Sequence, residues 1–370
     1  MDTYVNDFLS RLFRVSQNVD SINLAIGQPN FKPPECVLNE LKKNIGSYTK
    51  YTDVEGLPEL RTLIQKKLII ENKIKAEKII VTNGAIEAIF DTMLTYLNRD
   101  SEIILFSPYY GKYTTVPKLF GSKIKKISLN NNNRPDFETL KQSITKKTRM
   151  IIVNSPCNPT GVVFSRDEVK QLIEIVEKHD LIVLSDEVYE KYIYDGKEHV
   201  SPGQYSDNVI TINSFSKTYS LPGLRLGYLA GTPDLVDSIL DIHMSNTICS
   251  SYASQMAAIR ALKLKKDCFD LSSFERRRKL SMNILNDNEI EYIYPEGAFY
   301  LYIYVHQDSV LLAQRLLDNK LLVMPSMLFG DVHNAVRISY ATDKETLEKG
   351  LELLIINMEQ RAVDVYHKNH

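Results

Sequence analysis

The chain has 370 residues, of which 44% are hydrophobic and 25% charged, a composition typical of soluble globular proteins. Its formal net charge of -1 provides no general attraction for nucleic acid or an anionic membrane. No segment approaches the ~20 consecutive apolar residues of a membrane span, and the amino terminus lacks the apolar core of a signal peptide. The four cysteines show no C-x-x-C spacing, and the seven histidines show no metal-binding spacing. We therefore expect a cytoplasmic protein without a metal site.

Short apolar segments alternate with helical patterns through the first three quarters of the chain. We predict strands at 79–82, 102–106, 150–154, 181–185 and 209–212, and helices at 85–97 and 166–179. Strands that alternate with helices predict a mostly parallel sheet covered by helices on both faces, which is a three-layer α/β domain. In such sheets ligands bind beyond the carboxyl ends of the strands.

The pattern changes after about residue 275. A charged helical segment is followed by a predicted strand at 299–305, a helix at 309–319 and a strand at 335–340. This order predicts a smaller α+β domain. We assign residues 1–42 to the amino-terminal segment of the small domain, 43–275 to the large domain and 276–370 to the carboxyl-terminal part of the small domain. The basic run at 276–279 is interpreted as a solvated helix face rather than a binding site.

The most informative segment lies at 214–228 and has the sequence SFSKTYSLPGLRLGY. It places Lys217 just after a predicted strand, beside Ser214 and Ser216, with Arg225 eight residues further along the chain. A lysine amine that lies near hydroxyls and a guanidinium is suited to forming a Schiff base next to a bound phosphate.

Other candidate residues also follow predicted strands. Gly84, Ala85 and Ile86 form a turn that opens a helix, where free backbone N–H groups attract phosphate. Asn158 lies in a turn stiffened by two prolines and a glycine, and its amide can donate to an aromatic hydroxylate. Asp186 ends the fourth strand, where a nearly buried carboxylate needs a cation or strong donors.

Together these motifs resemble the class I/II aminotransferases, which have fold type I and use pyridoxal 5'-phosphate (PLP). The resemblance rests on Asn-Pro-Thr-Gly at 158–161, Asp-Glu-Val-Tyr at 186–189 and Ser-x-Ser-Lys at 214–217. It extends from Ile-Gly-Gln-Pro at 26–29 to Val-Arg-Ile-Ser at 336–339, and so covers almost the whole chain.

The resemblance implies a role for each candidate residue. Lys217 would carry PLP as a Schiff base and move a proton at the substrate Cα, while Asp186 would keep the pyridine nitrogen protonated. Asn158 and Tyr189 would bind the 3-hydroxyl group, and Tyr110 would stack on the ring. The implied phosphate ligands are Gly84, Ala85, Ile86, Ser214, Ser216, Arg225 and the partner subunit's Tyr51. The implied ligands of the substrate carboxylate are Gly27, Asn158 and Arg337.

The resemblance also implies a homodimer that transfers an amino group from an L-amino acid to a 2-oxo acid such as 2-oxoglutarate by a ping-pong cycle. Many bacterial aspartate aminotransferases have a lysine near the position of Ile86, so aspartate specificity by that route is not expected. Ile86, with Tyr110 and Phe299 nearby, would suit an aromatic or other neutral donor. Arg14 and Lys112 are candidates for contacting a distal carboxylate.

Three alternatives remain open at this stage. The same cofactor apparatus serves C–S β-lyases and decarboxylases, because substrate orientation decides which bond at Cα breaks. Related domains also act as ligand-sensing modules of transcription regulators, with a DNA-binding domain in front. The resemblance begins by about residue 26, so we expect no such domain here.

Overall fold

The computed structural model describes residues 2–16, 20–43, 49, 51–264, 270–330 and 334–368. Its strands are β1 (Ile22–Asn23), β2 (Lys78–Thr82), β3 (Glu102–Ser107), β4 (Lys123–Ser128), β5 (Thr148–Asn154), β6 (Ile182–Asp186), β7 (Val209–Ser214), β8 (Gly227–Gly231), β9 (Tyr292–Ile293), β10 (Tyr300–Tyr304), β11 (Leu321–Leu322), β12 (Met324–Pro325) and β13 (Ala335–Ser339).

The α-helices alternate with these strands. They are α1 (Asp2–Ser16), α2 (Glu35–Lys43), α3 (Pro58–Lys67), α4 (Ala85–Tyr96), α5 (Thr115–Phe120), α6 (Phe137–Ser143), α7 (Arg166–Lys178), α8 (Phe215–Thr218), α9 (Pro233–Asn246), α10 (Tyr252–Leu262), α11 (Leu271–Asp287), α12 (Ser309–Asp318) and α13 (Lys344–Lys368). A π-helix covers Leu68–Asn72, and short 3₁₀-helices cover Gly111–Thr114, Pro202–Gln204, Pro222–Leu224 and Ser326–Phe329. No helix of the described residues is long and apolar enough to cross a membrane.

Seven strands form the central sheet, in the order β2-β8-β7-β6-β5-β3-β4. All neighbouring pairs are parallel except those of β8, which runs antiparallel to both β2 and β7. The predicted mostly parallel sheet is therefore confirmed. The carboxyl ends of β5, β6 and β7 lie side by side, which brings together the segments that follow them.

Helices cover both faces of this sheet. Ile103 and Leu105 of β3 pack in one apolar cluster with residues of α4 and α9. Ile104 and Phe106 of the same strand pack in another with residues of α6 and α7. Successive residues of a strand point to opposite faces, so a strand buried on both sides has the continuous apolar pattern seen here. This arrangement is the three-layer α/β fold.

A second, smaller set of strands contains the amino-terminal and carboxyl-terminal parts of the chain. The order β12-β13-β10-β9 forms an antiparallel sheet, and β1 pairs in parallel with β11. Helices α1 and α13 contact α12 of the same region. The α+β character and the contribution of both termini agree with the fold class predicted from the sequence. The domain boundaries at 42/43 and 275/276 stay predictions.

The basic run at 276–279 lies on α11, and the interpretation of it as a solvated face was wrong for Arg278. This side chain is completely buried. Its Nη1 atom donates to Asp195 Oδ1 at 3.1 Å, and its guanidinium lies 4.8 Å and 4.9 Å from the ring centroids of Tyr194 and Tyr294. Carbons of an arginine side chain pack well between aromatic rings, and a carboxylate offsets its charge, so burial is possible here.

Candidate active site

Lys217 lies at the carboxyl end of β7, on the short helix α8. The Ser214 hydroxyl accepts a hydrogen bond from the Ser216 amide at 3.0 Å, which begins the helix directly after the strand. The Lys217 amine donates to the Gly27 carbonyl oxygen at 2.6 Å. Burial, and then repulsion from Arg337, lower the pKa of Lys217 to about 8. The amine is therefore much closer to its neutral, nucleophilic form at neutral pH than an exposed lysine is.

Asp186 ends the neighbouring strand β6 and is 4% exposed. The Tyr113 hydroxyl donates to its Oδ2 atom at 2.6 Å, and the Val188 amide donates to Oδ1 at 3.3 Å. Burial raises the pKa of Asp186 to about 6, although the hydrogen bond from Tyr113 opposes the shift. A cation placed beside this carboxylate would keep it ionised.

Tyr189 follows Asp186 in the loop after β6. Its hydroxyl lies 2.7 Å from the hydroxyl of Tyr300, and its ring packs edge-on against Phe299 at 5.3 Å. Burial raises the pKa of Tyr189 well above its ordinary value, so both tyrosines are neutral hydrogen-bond donors. Tyr300 also explains Gly27, because a Cβ atom at position 27 would lie 1.8 Å from the Tyr300 hydroxyl oxygen. The glycine lets the backbone pass close to Tyr300 and reach Lys217.

Arg337 approaches the same space from the small sheet, on β13. It is 5% exposed, and its guanidinium stands 4.3 Å from the ring centroid of Tyr300. Nη1 donates to Asn158 Oδ1 at 2.8 Å, and Nη2 donates to the Ala25 carbonyl. Among the residues that the structure describes, Nε has no hydrogen-bond partner and no carboxylate pairs with the guanidinium. A buried guanidinium without an anion is costly, and its fixed donors match a carboxylate ligand.

The turn between β2 and α4 forms a cradle for an anion. Gly84 has a φ of 85°, and the N–H groups of Ala85 and Ile86 begin α4, where a helix provides them with no acceptor. Arg225 extends across the turn, with Nη2 3.4 Å from the Asn83 carbonyl oxygen. A Cβ atom at position 84 would lie 2.6 Å from that Nη2 atom. Backbone donors at a helix start and a guanidinium together favour a phosphate.

The cradle and the lysine are neighbours. Gly227 pairs with Ser214 across β7 and β8, and a Cβ atom at position 227 would lie 2.7 Å from the Ala85 amide nitrogen. The Ser214 Oγ atom lies within hydrogen-bond distance of Ser216 Oγ (2.9 Å) and of the Leu226 carbonyl oxygen (3.1 Å). The predicted phosphate ligands that follow β7 therefore lie close to those that begin α4.

Tyr110, Ile86 and Tyr51 differ in how closely they join the site. The Tyr110 ring packs edge-on against Tyr113 at 5.5 Å, and burial, with a contribution from Tyr300, raises its pKa to about 12. Ile86 is 47% exposed at the start of α4. Tyr51 is 82% exposed, so a role for it requires a second subunit. The candidates Arg14 and Lys112 are both exposed.

Sequence reasoning missed two tyrosines of the site, Tyr113 and Tyr300. Tyr113 lies three residues after Tyr110, so the two fall on nearly the same side of the 3₁₀-helix Gly111–Thr114, and this spacing was an available signal. Tyr300 ends the sequence Pro-Glu-Gly-Ala-Phe-Tyr at 295–300, directly after Phe299, which the sequence analysis placed near Ile86. Asn154 was also missed, and it connects two predicted residues through bonds to the Asp186 carbonyl oxygen (2.9 Å) and the Asn158 amide (2.7 Å).

Comparisons with known proteins agree on one family. The family model described as Aminotransferase class I and II matches residues 19–354. The chain belongs to this family. It is 40% identical to a probable aspartate aminotransferase of Methanocaldococcus jannaschii, over 90% of this chain and 92% of that protein. It is 32% identical to the aromatic-amino-acid aminotransferase 2 of Thermococcus litoralis, over 93% of both chains.

A solved structure of the same family, the Thermus thermophilus aspartate aminotransferase with maleate, superposes with a TM-score of 0.88 at 30% identity and covers 95% of both chains. The predictions of an α/β fold, of PLP as cofactor and of an aminotransferase are thus confirmed. The residues present fit PLP, because they provide a partly buried lysine of lowered pKa, a carboxylate that needs a cation, and an anion cradle. The roles of individual residues stay predictions.

Proposed function

We propose that this aminotransferase binds PLP between Lys217, Asp186 and the turn at Gly84, and that Arg337 binds the substrate carboxylate. The observation that carries the proposal is that one site contains both a partly buried lysine amine of lowered pKa and a buried guanidinium that no described carboxylate neutralises. The resemblance of this chain to aminotransferases over nearly its whole length supports it.

When bound, PLP supplies an aldehyde that condenses with amines and a ring that accepts electrons from the substrate Cα. The residues of the chain do the rest. Arg337 and Asn158 fix the carboxylate of the amino acid and so determine which bond at Cα is aligned for cleavage. Lys217 has a pKa of about 8, which suits an amine that removes a proton from Cα and returns it elsewhere.

Asp186 and Tyr189 hold the ring from two sides. Asp186 lies at the end of β6, where it can accept a hydrogen bond from a protonated ring nitrogen. Tyr189 and Asn158 can donate to the 3-hydroxyl oxygen, and the Tyr110 ring can stack on the cofactor. The phosphate is bound by the cradle and by the segment around Lys217, through Gly84, Ala85, Ile86, Ser214, Ser216 and Arg225.

The substrates are a 2-oxo acid, such as 2-oxoglutarate, and an L-amino acid donor, which is an aromatic amino acid, another neutral amino acid or aspartate. This range is supported by relatives of which some are named aspartate aminotransferases and others aromatic-amino-acid aminotransferases. The Thermus structure contains the dicarboxylate maleate. Ile86, half exposed at the start of α4, favours an apolar side chain at that position over a charged one. Arg14 and Lys112 are the candidate cations for a distal carboxylate.

The active enzyme is a cytoplasmic homodimer. Tyr51 is 82% exposed in the single chain, and its place in the phosphate site depends on a second copy. Light scattering on the purified protein tests this point. A monomer that still transaminates would contradict it.

The reaction is tested by recording the absorbance of purified protein with PLP and then adding single amino acids without a 2-oxo acid. A transaminase converts the band of the bound aldehyde form to that of the amine form with aspartate or phenylalanine, and thereby ranks the donors. Release of pyruvate and ammonia from cysteine or cystathionine, with no acceptor needed, would favour the C–S lyase alternative. No absorbance band after PLP addition would contradict the proposal as a whole.

Replacing the lysine tests the site itself. The Lys217→Ala variant is expected to lose turnover and the absorbance band of lysine-bound PLP, because no other amine replaces it. Lys191→Ala is the matched control, since Lys191 pairs with Glu71 at 2.8 Å outside the site. Near-native turnover of Lys217→Ala would refute the assignment.

A further inference from the structure

A buried polar cluster lies directly behind the turn that opens α4. It consists of Glu87 and Asp91 on α4 and His243 on α9, and we call it the α4–α9 cluster. His243 and Asp91 are completely buried. The His243 Nδ1 atom lies 3.2 Å from Asp91 Oδ2 and 3.3 Å from Glu87 Oε1. None of these residues is among the predicted ligands of the cofactor or the substrate.

Glu87 connects this cluster to the turn. Its Oε1 atom accepts a hydrogen bond from the Asn83 amide at 3.2 Å, and Oε2 accepts from the Asn83 side chain at 2.9 Å. The Thr247 hydroxyl donates to the same Oε2 atom at 3.1 Å. On the other side of the turn, the Asn83 carbonyl oxygen accepts from Arg225 at 3.4 Å. Glu87 therefore fixes the position of Asn83, the residue before Gly84, from the interior side of the turn.

The position of Glu87 creates an electrostatic conflict with a phosphate. A carboxylate on the first turn of α4 and a second one a turn further along both repel a dianion bound at the start of that helix. His243 contacts both carboxylates, and Asn246 adds an uncharged donor to Asp91 at 3.1 Å. Burial alone would lower the pKa of His243, but the bonds with Asp91 and Glu87 raise it to about 9. The pKa of Glu87 is lowered, because the hydrogen bonds from His243 and Asn83 outweigh its burial.

We propose that His243 is a positioning residue for the cofactor phosphate. Its imidazolium directs Glu87 into the bonds with Asn83 that shape the cradle, and it offsets one of the two negative charges behind the phosphate. This inference rests on the proposed function, because it assumes that the phosphate of PLP occupies the turn at Gly84.

The test compares two ligands that differ only in the phosphate. Apoprotein carrying His243→Gln, which keeps a similar size without the charge, is titrated with PLP and with pyridoxal, and dissociation constants are measured from absorbance or fluorescence. The affinity for PLP is expected to fall roughly tenfold or more, because the cluster changes from one net negative charge to two. The affinity for pyridoxal is expected to stay unchanged.

A second variant separates charge from shape. His243→Gln combined with Asp91→Asn restores one net negative charge, and Asp91 makes no bond to the turn. This double variant is expected to recover most of the affinity for PLP. His179→Gln is the matched control, since His179 is exposed at the end of α7.

Three outcomes would overturn the inference. They are an unchanged PLP affinity in His243→Gln, an equal loss for PLP and pyridoxal, and a double variant no better than the single one. The last two would show that His243 supports the fold without acting on the phosphate. Failure of the wild-type protein to bind PLP at all would instead contradict the proposed function, so the two failures are distinguishable.

Discussion

The donors of Arg337 are fixed by contacts on several sides. Its guanidinium lies 4.3 Å from the ring centroid of Tyr300 and 5.0 Å from that of Phe329, and Nη1 is hydrogen-bonded to Asn158. A side chain held in this way has already lost most of its rotational freedom, so binding a carboxylate has little further entropic cost. The position and the charge of the Arg337 guanidinium are therefore both fixed before the substrate binds.

Arg337→Lys is expected to raise the KM for the amino acid donor by about tenfold or more, because an ammonium keeps the charge but cannot make two parallel hydrogen bonds to a carboxylate. The affinity of the apoprotein for PLP should not change. Steady-state kinetics and a PLP titration measure the two quantities. Arg315→Lys, a partly buried arginine that donates to the Asn357 carbonyl oxygen at 3.0 Å, is the control. A KM equal to that of the control would contradict the assignment.

The sequence analysis identified the residues whose chemistry can be recognised from the sequence immediately around them. Lys217, Asp186 and Asn158 each follow a predicted strand, and the structure brings them to one edge of the sheet. Tyr300 and His243 could not be recognised in the same way. Their importance comes from contacts with residues 111 and 152 positions away in the chain, and a single sequence contains no signal for such pairs.

At the scale of elements, the turn between β2 and α4 combines two demands on one residue. Gly84 has a φ of 85°, which favours glycine, and its missing Cβ leaves room for the Arg225 guanidinium. Gly121 has a similar φ of 74° at the end of α5, but a Cβ there would meet nothing within 4 Å. A comparison of the two glycines therefore distinguishes the effect of backbone strain from the effect of crowding in the cradle.

Gly84→Ala is expected to weaken PLP binding, because the new methyl group displaces Arg225 from the turn. Gly121→Ala should have native PLP affinity. Gly121→Ala should lose about 1–2 kcal/mol of stability from its left-handed helical backbone. Gly84→Ala should lose about 1–3 kcal/mol, because a φ of 85° with a ψ of 165° lies in a region that is essentially restricted to glycine. Titration of each apoprotein with PLP, beside thermal unfolding, checks the prediction. Equal PLP affinities in the two variants would show that crowding at Gly84 has no effect on the site.

The strands of the central sheet were largely predictable, with two informative exceptions. All five strands predicted in the large domain are present, each within two residues of the predicted ends. Strand β4 was missed because its sequence Lys-Ile-Lys-Lys-Ile-Ser has three lysines, which are tolerated since β4 is an edge strand. Strand β8 was missed because Gly-Tyr-Leu-Ala-Gly begins and ends with glycine. Its antiparallel direction depends on the long-range pairing with β2 and β7.

At the scale of the whole molecule, the site is assembled from two sheets that must keep their relative position. Asp186 and Lys217 follow strands of the central sheet, whereas Arg337 lies on a strand of the small one. The segment before β10 fixes them to each other through backbone bonds from the Gly297 amide to the Gly161 carbonyl (2.7 Å) and from the Ala298 amide to the Tyr192 carbonyl (2.9 Å). Any residue that anchors this segment should affect both stability and the site.

Arg278 is such an anchor, because its Nε atom donates to the Pro295 carbonyl oxygen at 2.7 Å while its other nitrogens bind Asp195. Arg278→Met is expected to destabilise the protein by about 1–3 kcal/mol, because the Pro295 carbonyl oxygen loses its buried donor, whereas the exposed Asp195 carboxylate stays solvated. It should also raise the KM for the amino acid, because Arg337 depends on the same junction. Thermal unfolding and steady-state kinetics measure these effects. Arg276→Met is the control, since Arg276 is 70% exposed and its pair with Asp270 lies in solvent, where an ion pair contributes little to stability. Equal unfolding midpoints in the two variants would contradict the role of Arg278. A lowered midpoint with an unchanged KM would show that the junction stabilises the fold without setting the position of Arg337.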